Sequence, residues 1–186
     1  PPTVVEGDAQ IGANCGAVTI LYGRDKRGLT SIQKAGQELL CSIPRPSFWR
    51  APTDNDYGWQ MPHACAFWKT ASLYAFPSEE RVEHLSDCLQ IGNDYRFPGS
   101  ETAGCSLTYR IFGDGVAEGS LSLFGCEGLG PMPDFGLLFK LPGEYDRLTW
   151  YGRGPEENYC DRKAGSPLGI YTSSVTAEYQ PYVLPQ

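Results

Sequence analysis

The middle of the chain carries a strict two-residue alternation of apolar and polar side chains, and this pattern constrains the fold most strongly. Ser106, Thr108 and Arg110 separate the apolar members, which are Cys105, Leu107, Tyr109 and Ile111. Because successive side chains of a strand point to opposite faces, the pattern predicts a β-strand with one buried face and one face in water. Gly113-Asp114-Gly115 supplies the positive φ angles of a tight hairpin, and residues 116–124 form the predicted partner strand.

Other segments repeat this organisation of short strands and turns. The chain has 22 glycines and 15 prolines among 186 residues, a content that favours turns between many strands over long helices. Residues 44–47, which contain two prolines, are predicted to break the sheet, and one short helix is predicted near residues 64–71. The sequence therefore predicts one all-β domain over residues 1–186, an antiparallel sandwich. Its further strands are predicted over residues 18–22, 29–33, 38–42, 135–141 and 148–151.

Charge and cysteine content exclude several classes of function. A net charge of −7 argues against nucleic acids and anionic membranes, which bind clustered Lys and Arg, and no apolar stretch approaches the roughly 18 residues of a membrane span. Residues 1–3 do not open a signal peptide, and the missing initiator Met indicates an excised fragment. The seven cysteines are odd in number and lack C-x-x-C spacing, so they predict small buried side chains rather than a metal site. These cysteines are Cys15, Cys41, Cys65, Cys88, Cys105, Cys126 and Cys160.

A dense polar segment, W-R-A-P-T-D-N-D-Y-G-W, occupies residues 49–59. Two carboxylates, Asp54 and Asp56, would suit a glycosidase acid and base or a hard cation, but neighbours in one loop lie on the same side of whatever binds there. We therefore favour a structural role, in which Arg50 pairs with one Asp while the other Asp and Asn55 hold loop amides. Trp59, with Asp54 and Asp56, is a weaker candidate for contact with a sugar.

A second polar segment, W-Y-G-R-G-P-E-E-N-Y-C-D-R, occupies residues 150–162. Gly152 to Pro155 form a predicted turn that presents the charged side chains at the end of a strand. We expect Glu157, Asn158 and Arg162 to organise packing or an interface rather than catalysis.

Three segments together resemble the C-terminal β-sandwich domain of the family-two glycoside hydrolases known as β-galactosidases. Residues 49–59 resemble the family's RAP-x-DND segment, residues 150–162 its G-x-GP-x-ENY-x-DR segment, and residues 179–186 its Y-x-x-PYV-x-P-x-ENG segment. The resemblance implies the antiparallel super-sandwich that this domain shares with galactose mutarotases. It also implies that the chain stops before the last strands of that domain.

The resemblance implies a function for the whole enzyme and a supporting role for this chain. A family member hydrolyses terminal β-D-galactosides such as lactose with retention, using glutamates of a separate (β/α)₈ barrel, with magnesium and sodium bound. None of that barrel lies in these residues, so we assign no catalytic residue, no metal and no cofactor to the chain and expect it alone to be inactive. Its expected partners are the catalytic barrel, further copies of the enzyme in a homo-oligomer and the β-galactoside substrate. The expected location is the bacterial cytoplasm, and the periplasm stays open as an alternative.

Two alternatives remain open at this point. A free-standing galactoside-binding module would bind sugar through Trp59 and the neighbouring acids without hydrolysis. A mutarotase-like epimerase would open the sugar ring with His63 or His84, because that chemistry needs a general acid and base.

Overall fold

The structure is a computed structural model that describes residues 1–156, 158 and 163–179. Its internal contacts group into two compact units, residues 1–142 and residues 143–186, and the assignment of residues 1–186 to one domain stays a prediction. Antiparallel strands dominate the described residues, so the prediction of an all-β, sandwich-like fold is confirmed. Within the described residues, no helix has the length and apolar character needed to cross a membrane.

The first sheet of unit 1 is a five-stranded antiparallel meander. Its strands follow one another in chain order, β1 to β5, and are Thr3–Glu6, Gln10–Cys15, Val18–Gly23, Gly28–Lys34 and Gln37–Glu38. Alternate side chains of β2 to β4, such as Ile11, Ile20 and Leu29, are buried, as the two-residue period of a strand requires. The strands predicted over residues 18–22 and 29–33 are confirmed as β3 and β4.

The second sheet of unit 1 contains the alternating segment. Its strands pair in the order β10-β9-β8-β7, where β7 to β10 are Phe76–His84, Cys88–Arg96, Gly104–Phe112 and Ala117–Phe124. The four alternating apolar side chains of β9 are buried, while the polar ones between them are half-buried. Gly115 has a φ of 88° in the turn that joins β9 to β10, so the predicted hairpin is confirmed.

Two prolines lie inside a strand, contrary to the prediction that residues 44–47 break the sheet. Strand β6, Ser42–Ser47, pairs with β11, Gly136–Lys140, in a two-stranded sheet where Pro46 lies opposite Leu137. A strand with one partner tolerates proline, because a proline nitrogen can face away from that partner. The prediction was therefore wrong, and β6 leads directly into the polar segment at residues 49–59.

The strand predicted over residues 38–42 is also wrong. Only Gln37–Glu38 pair as β5. The Leu39 N–H still donates to the carbonyl of Ile32 on β4 at 2.8 Å. The next amide, that of Leu40, donates instead to the Glu38 carboxylate at 3.0 Å, so a side chain takes the donor that a continuing strand would offer to its neighbour. Cys41 follows this turn with an exposed side chain, and its backbone N–H donates to the carbonyl of Lys140 at 2.8 Å.

Three helices connect β6 to β7. They are α1 (Asp54–Gly58), α2 (Met61–Ala64) and α3 (Ala66–Tyr74). The helix predicted near residues 64–71 is confirmed as α3, which buries Trp68 and Ala71. The one-turn helices α1 and α2 were not predicted, although the sequence carries a signal for each, a Thr53-x-x-Asp56 capping pair and a proline in the first turn of α2.

An aromatic cluster ties α3 to the sheets of unit 1. Phe48, which is fully buried, meets Trp68 edge-on at 5.8 Å and Phe97 edge-on at 5.2 Å between ring centroids. The Trp68 indole N–H also donates to the carbonyl of Gly130 at 2.9 Å. Edge-to-face contacts of this kind stabilise the fold beyond the burial of the rings. They hold Phe48, the residue that follows β6, in one position.

Most of the described cysteines are buried. Cys15, Cys65, Cys88 and Cys105 are buried, Cys126 is half-buried and Cys41 is exposed, while Cys160 lies outside the described residues. Burial raises the pKa of the Cys105 thiol to about 12, so this side chain stays a neutral thiol at physiological pH. The prediction of buried small side chains is confirmed for four of the six described cysteines, and the exceptions are the half-buried Cys126 and the exposed Cys41.

Unit 2 is built on one antiparallel hairpin. Strand β12 (Arg147–Arg153) pairs with β13 (Leu168–Ser174), and a short 3₁₀ helix covers Lys163–Gly165. The Arg153 guanidinium donates to the carbonyls of Lys163 at 2.8 Å and Ser166 at 3.0 Å. This side chain therefore links the end of β12 to residues that precede β13.

Candidate functional site: the Arg50–Asp56 loop

The polar segment at residues 49–59 starts from a rigid anchor. The backbone N–H of Phe48 donates to Ser72 Oγ at 2.8 Å, and this hydroxyl donates to the carbonyl of Trp68 at 2.8 Å. These bonds fix the residue that follows β6 to α3. Pro52 then restricts Ala51 to extended backbone, so the chain reaches α1 along a defined path.

A reciprocal cap starts α1. The Asp56 backbone N–H donates to Thr53 Oγ1 at 3.3 Å, while the Thr53 backbone N–H donates to Asp56 Oδ2 at 2.8 Å. This is a capping box, which satisfies two backbone donors that the helix leaves unpaired. The negative side chain also lies in the first turn, where the helix dipole favours it.

The Asp56 carboxylate is the centre of the site. It accepts five hydrogen bonds, two from the Arg50 guanidinium, two from Thr53 and one from the Trp59 indole N–H. The Arg50 pair is bidentate, with Nη2 3.1 Å from Oδ1 and Nη1 bonded to Oδ2. Only 5% of Asp56 is exposed, so these bonds replace the water that the carboxylate loses on folding.

These contacts fix the charge state of Asp56. The hydrogen bonds from Arg50 hold the pKa of this carboxyl well below its usual range, burial opposes them in part, and the Thr53 donors lower the pKa further. A carboxylate that stays ionised and fully bonded cannot donate a proton as a general acid, since that role requires a raised pKa. The site can hold a loop in place, but Asp56 is not arranged for proton transfer.

The depressed pKa of Asp56 predicts a specific pH dependence of stability. A carboxyl whose pKa is lower in the folded state stabilises the fold fully above its unfolded-state pKa of about 3.9. That contribution declines as the pH falls from there towards the lower folded-state pKa. We therefore expect the native chain to lose more stability between pH 6 and pH 3 than Asp56→Asn, which cannot ionise. Urea midpoints of both proteins at the two pH values measure this. Equal losses would show that Asp56 is not the titrating group.

Asp54 and Asn55 occupy the outer side of α1. Both side chains are exposed, and the loop amide at Thr53 is bonded by Asp56 instead. Asp56 is the acid that pairs with Arg50, as predicted for one of the two. The loop amide of Thr53, however, donates to Asp56 and not to Asp54 or Asn55. The reason is helical geometry, because only the third helical residue points back to the N-cap.

Trp59 presents a fixed aromatic surface beside the buried carboxylate. Its indole nitrogen lies 3.3 Å from Asp56 Oδ1, and 49% of the residue is exposed. Tyr57, on α1, is likewise about half exposed. Gln60, the next residue, has a φ of 62°, a left-handed conformation that turns the chain from α1 into α2.

Of the other predicted site residues, the structure describes only Asn158. Asn158 is exposed and belongs to unit 2, whereas Glu157 and Arg162 lie outside the described residues. The segment resembling Y-x-x-PYV-x-P is described only at Tyr179. The roles predicted for these residues stay predictions.

The two histidines lie on separate elements. His63 is exposed on α2, and His84 on β7 has its Nε2 2.6 Å from Glu6 Oε1. Among the described residues, no three His, Cys, Asp or Glu side chains converge in a way that could hold a metal ion. Arg50, Asp56 and Trp59 therefore form the candidate site in the described part of the chain.

Comparison with known proteins gives a consistent result. Residues 15–186 match the family model described as "Beta galactosidase small chain". A beta-galactosidase of Priestia megaterium is 38% identical over 168 residues, which are 90% of this chain and 16% of that protein. One of Halalkalibacterium halodurans is 36% identical over 98% of this chain and 18% of its own length. A "Beta-galactosidase small subunit" of Latilactobacillus sakei is 29% identical over 98% of this chain and 63% of its own length.

Proposed function

Because the chain belongs to the β-galactosidase small-chain family, we propose that it is the non-catalytic part of a β-galactosidase and forms one wall of its substrate cleft. The chain spans less than a fifth of the longer relatives, and we propose that the hydrolytic residues lie in another part of the enzyme, the catalytic portion. By the same proposal the whole enzyme hydrolyses terminal β-D-galactosides such as lactose with retention of configuration. Its magnesium and sodium would bind in the catalytic portion, and the family resemblance also leads us to propose a homo-oligomer in the bacterial cytoplasm.

One observation supports a structural rather than a catalytic role for the polar segment. The buried Asp56 carboxylate is occupied by five hydrogen bonds and has a depressed pKa. A retaining glycosidase needs one carboxyl with a raised pKa and a second about 5–5.5 Å away across the scissile bond. Asp54 lies on the outer side of the same one-turn helix, which suits neither position.

An immunoprecipitation experiment tests the proposal. An antibody raised against this chain should recover β-galactosidase activity from source cells, together with polypeptide mass far above the 20.4 kDa of the chain. The purified chain should not release galactose from o-nitrophenyl β-D-galactoside. Hydrolysis by the chain alone would overturn the non-catalytic assignment. Recovery of the chain alone, with galactoside binding or faster mutarotation, would favour the binding module or the epimerase.

Trp59 is the residue that we propose to contact the galactoside or the cleft entrance. Its ring is half exposed while its N–H is fixed by Asp56, an arrangement that suits stacking on a sugar face. Aromatic contacts contribute about 0.5–1.5 kcal/mol, so Trp59→Ala in the whole enzyme should raise KM roughly 2- to 12-fold at unchanged kcat.

Trp59→Phe is the matched control, since it keeps a stacking ring but loses the bond to Asp56. It should restore most of the affinity for substrate. If KM is unchanged in Trp59→Ala, the ring does not contact the substrate.

A further inference from the structure

A groove opens between α3 and the two-stranded sheet of β6 and β11. Its volume is about 140 Å³, which suits one apolar side chain rather than a sugar. The wall on α3 is formed by Leu73, and the opposite wall by Leu138 of β11, both about half exposed. Trp49, two residues after the end of β6, also lines the groove. The groove lies entirely in unit 1 and does not include the Arg50–Asp56 pair.

The walls of the groove are held by interactions that do not depend on a ligand. Ser72, which lines the groove, bridges the Phe48 N–H and the Trp68 carbonyl. The Lys69 ammonium lies 5.6 Å from the centroid of the Trp49 ring, within the range of a cation–π contact. A preformed pocket loses little conformational freedom when a partner side chain enters it. These are the properties of an anchor pocket at a protein interface.

The charges at the groove are opposite in sign to those of the chain as a whole. The chain carries a net charge of −7, yet the charged side chains lining the groove are Arg45 and Lys69, and both are exposed. Electrostatic complementarity selects partners and orients them. Because apolar side chains and two cations line the groove, it favours a partner segment in which an apolar side chain is flanked by carboxylates.

We propose that this groove docks the catalytic portion of the β-galactosidase by receiving one apolar side chain of an acidic segment. The inference rests on the proposed function, in which most of the enzyme lies outside this chain and must be held against it. The longer relatives place more than four-fifths of their length outside the region matched by this chain. In an enzyme of that length, most of the polypeptide that could contact the groove belongs to the part outside this chain.

Cysteine substitution in the assembled enzyme tests the docking site. Leu73→Cys places a thiol in the groove, and Val116→Cys is the matched control, because Val116 is equally exposed and lies in the turn between β9 and β10. Peptide mass spectrometry measures the rate of maleimide labelling at each introduced cysteine and distinguishes it from labelling of the native cysteines. We expect Leu73→Cys to react at least about tenfold more slowly in the native enzyme, and at the same rate as the control in urea.

A cross-linker identifies the occupant. Benzophenone maleimide on Leu73→Cys, attached under partial labelling, should join the groove to peptides of the catalytic portion that contain Asp or Glu. Equal labelling rates at both positions would show that the groove is open and overturn the proposal. Cross-links to a second copy of this chain, or to polypeptide that follows Gln186, would overturn it as well. β-Galactosidase activity of the same preparation is measured separately, and its absence would contradict the proposed function rather than the docking.

Discussion

The chain in which Asp56 is replaced by alanine is expected to unfold with a free energy about 3 kcal/mol lower than that of the native chain. The substitution removes the side-chain half of the capping box, in which Asp56 accepts the Thr53 amide, and it removes the bidentate partner of Arg50. It also leaves the Trp59 indole N–H without its acceptor. A helix cap contributes about 1 kcal/mol, and hydrogen bonds to a charged group contribute about 1.5–3 kcal/mol. We take the middle of the combined range because the Arg50 side chain is 40% exposed and partly screened by water.

Asp54→Ala is the control for this prediction. It removes the same chemical group from the same helix, but from an exposed position, so its effect should stay within about 0.5 kcal/mol. Urea unfolding followed by tryptophan fluorescence and by circular dichroism measures both variants, since Trp59 lies next to the substitution. Equal losses of stability in the two variants would mean that the bonds to Asp56 do not stabilise the loop.

Phe48→Ala should cost about 3–5 kcal/mol, because removal of a buried ring leaves a cavity that the surrounding structure fills only in part. Phe48 is fully buried and contacts the rings of Trp68 and Phe97. Its backbone also holds α3 through Ser72. The loss should therefore extend to the loop that carries Arg50, and in the whole enzyme it should lower the fraction of folded protein rather than kcat per folded molecule.

Phe135→Ala provides the comparison. The two ring centroids are 6.1 Å apart, but Phe135 is 49% exposed, so the expected cost is about 1 kcal/mol from its smaller buried area. Thermal unfolding of both variants distinguishes the cases. A cost for Phe48→Ala no larger than that for Phe135→Ala would show that the aromatic cluster is not a tightly packed part of the core.

The parts of the fold that follow from local pattern could be predicted, and the parts that depend on distant partners could not. The alternation in β9 states which face is buried whatever the strand pairs with, so β9 and its hairpin were correct. The identity of β6 as a strand depends on β11, which is about 90 residues away in sequence, and two prolines concealed it. The pairing of β5 stops where the Glu38 carboxylate accepts the amide of Leu40, and composition does not reveal that.

The site shows the same division. The residue types at positions 50–56 predicted an arginine–aspartate pair, but the choice between Asp54 and Asp56 required the start of α1, which was not predicted. The capping signal Thr53-x-x-Asp56 would have identified Asp56 as the inward-facing acid. The groove could not be predicted at all, because Arg45, Lys69 and Leu138 come from three elements and share no local pattern.

The exposed thiol of Cys41 has a practical consequence for work on this protein in solution. The backbone at this position is held by the bond to the Lys140 carbonyl while the side chain faces water. Two molecules stored in air can therefore become covalently linked through Cys41, since an accessible thiol is oxidised more readily than the buried ones. Sedimentation or light-scattering measurements of the number of subunits should be made with a reductant present or with Cys41→Ser, because an oxidised dimer would otherwise be counted as native assembly.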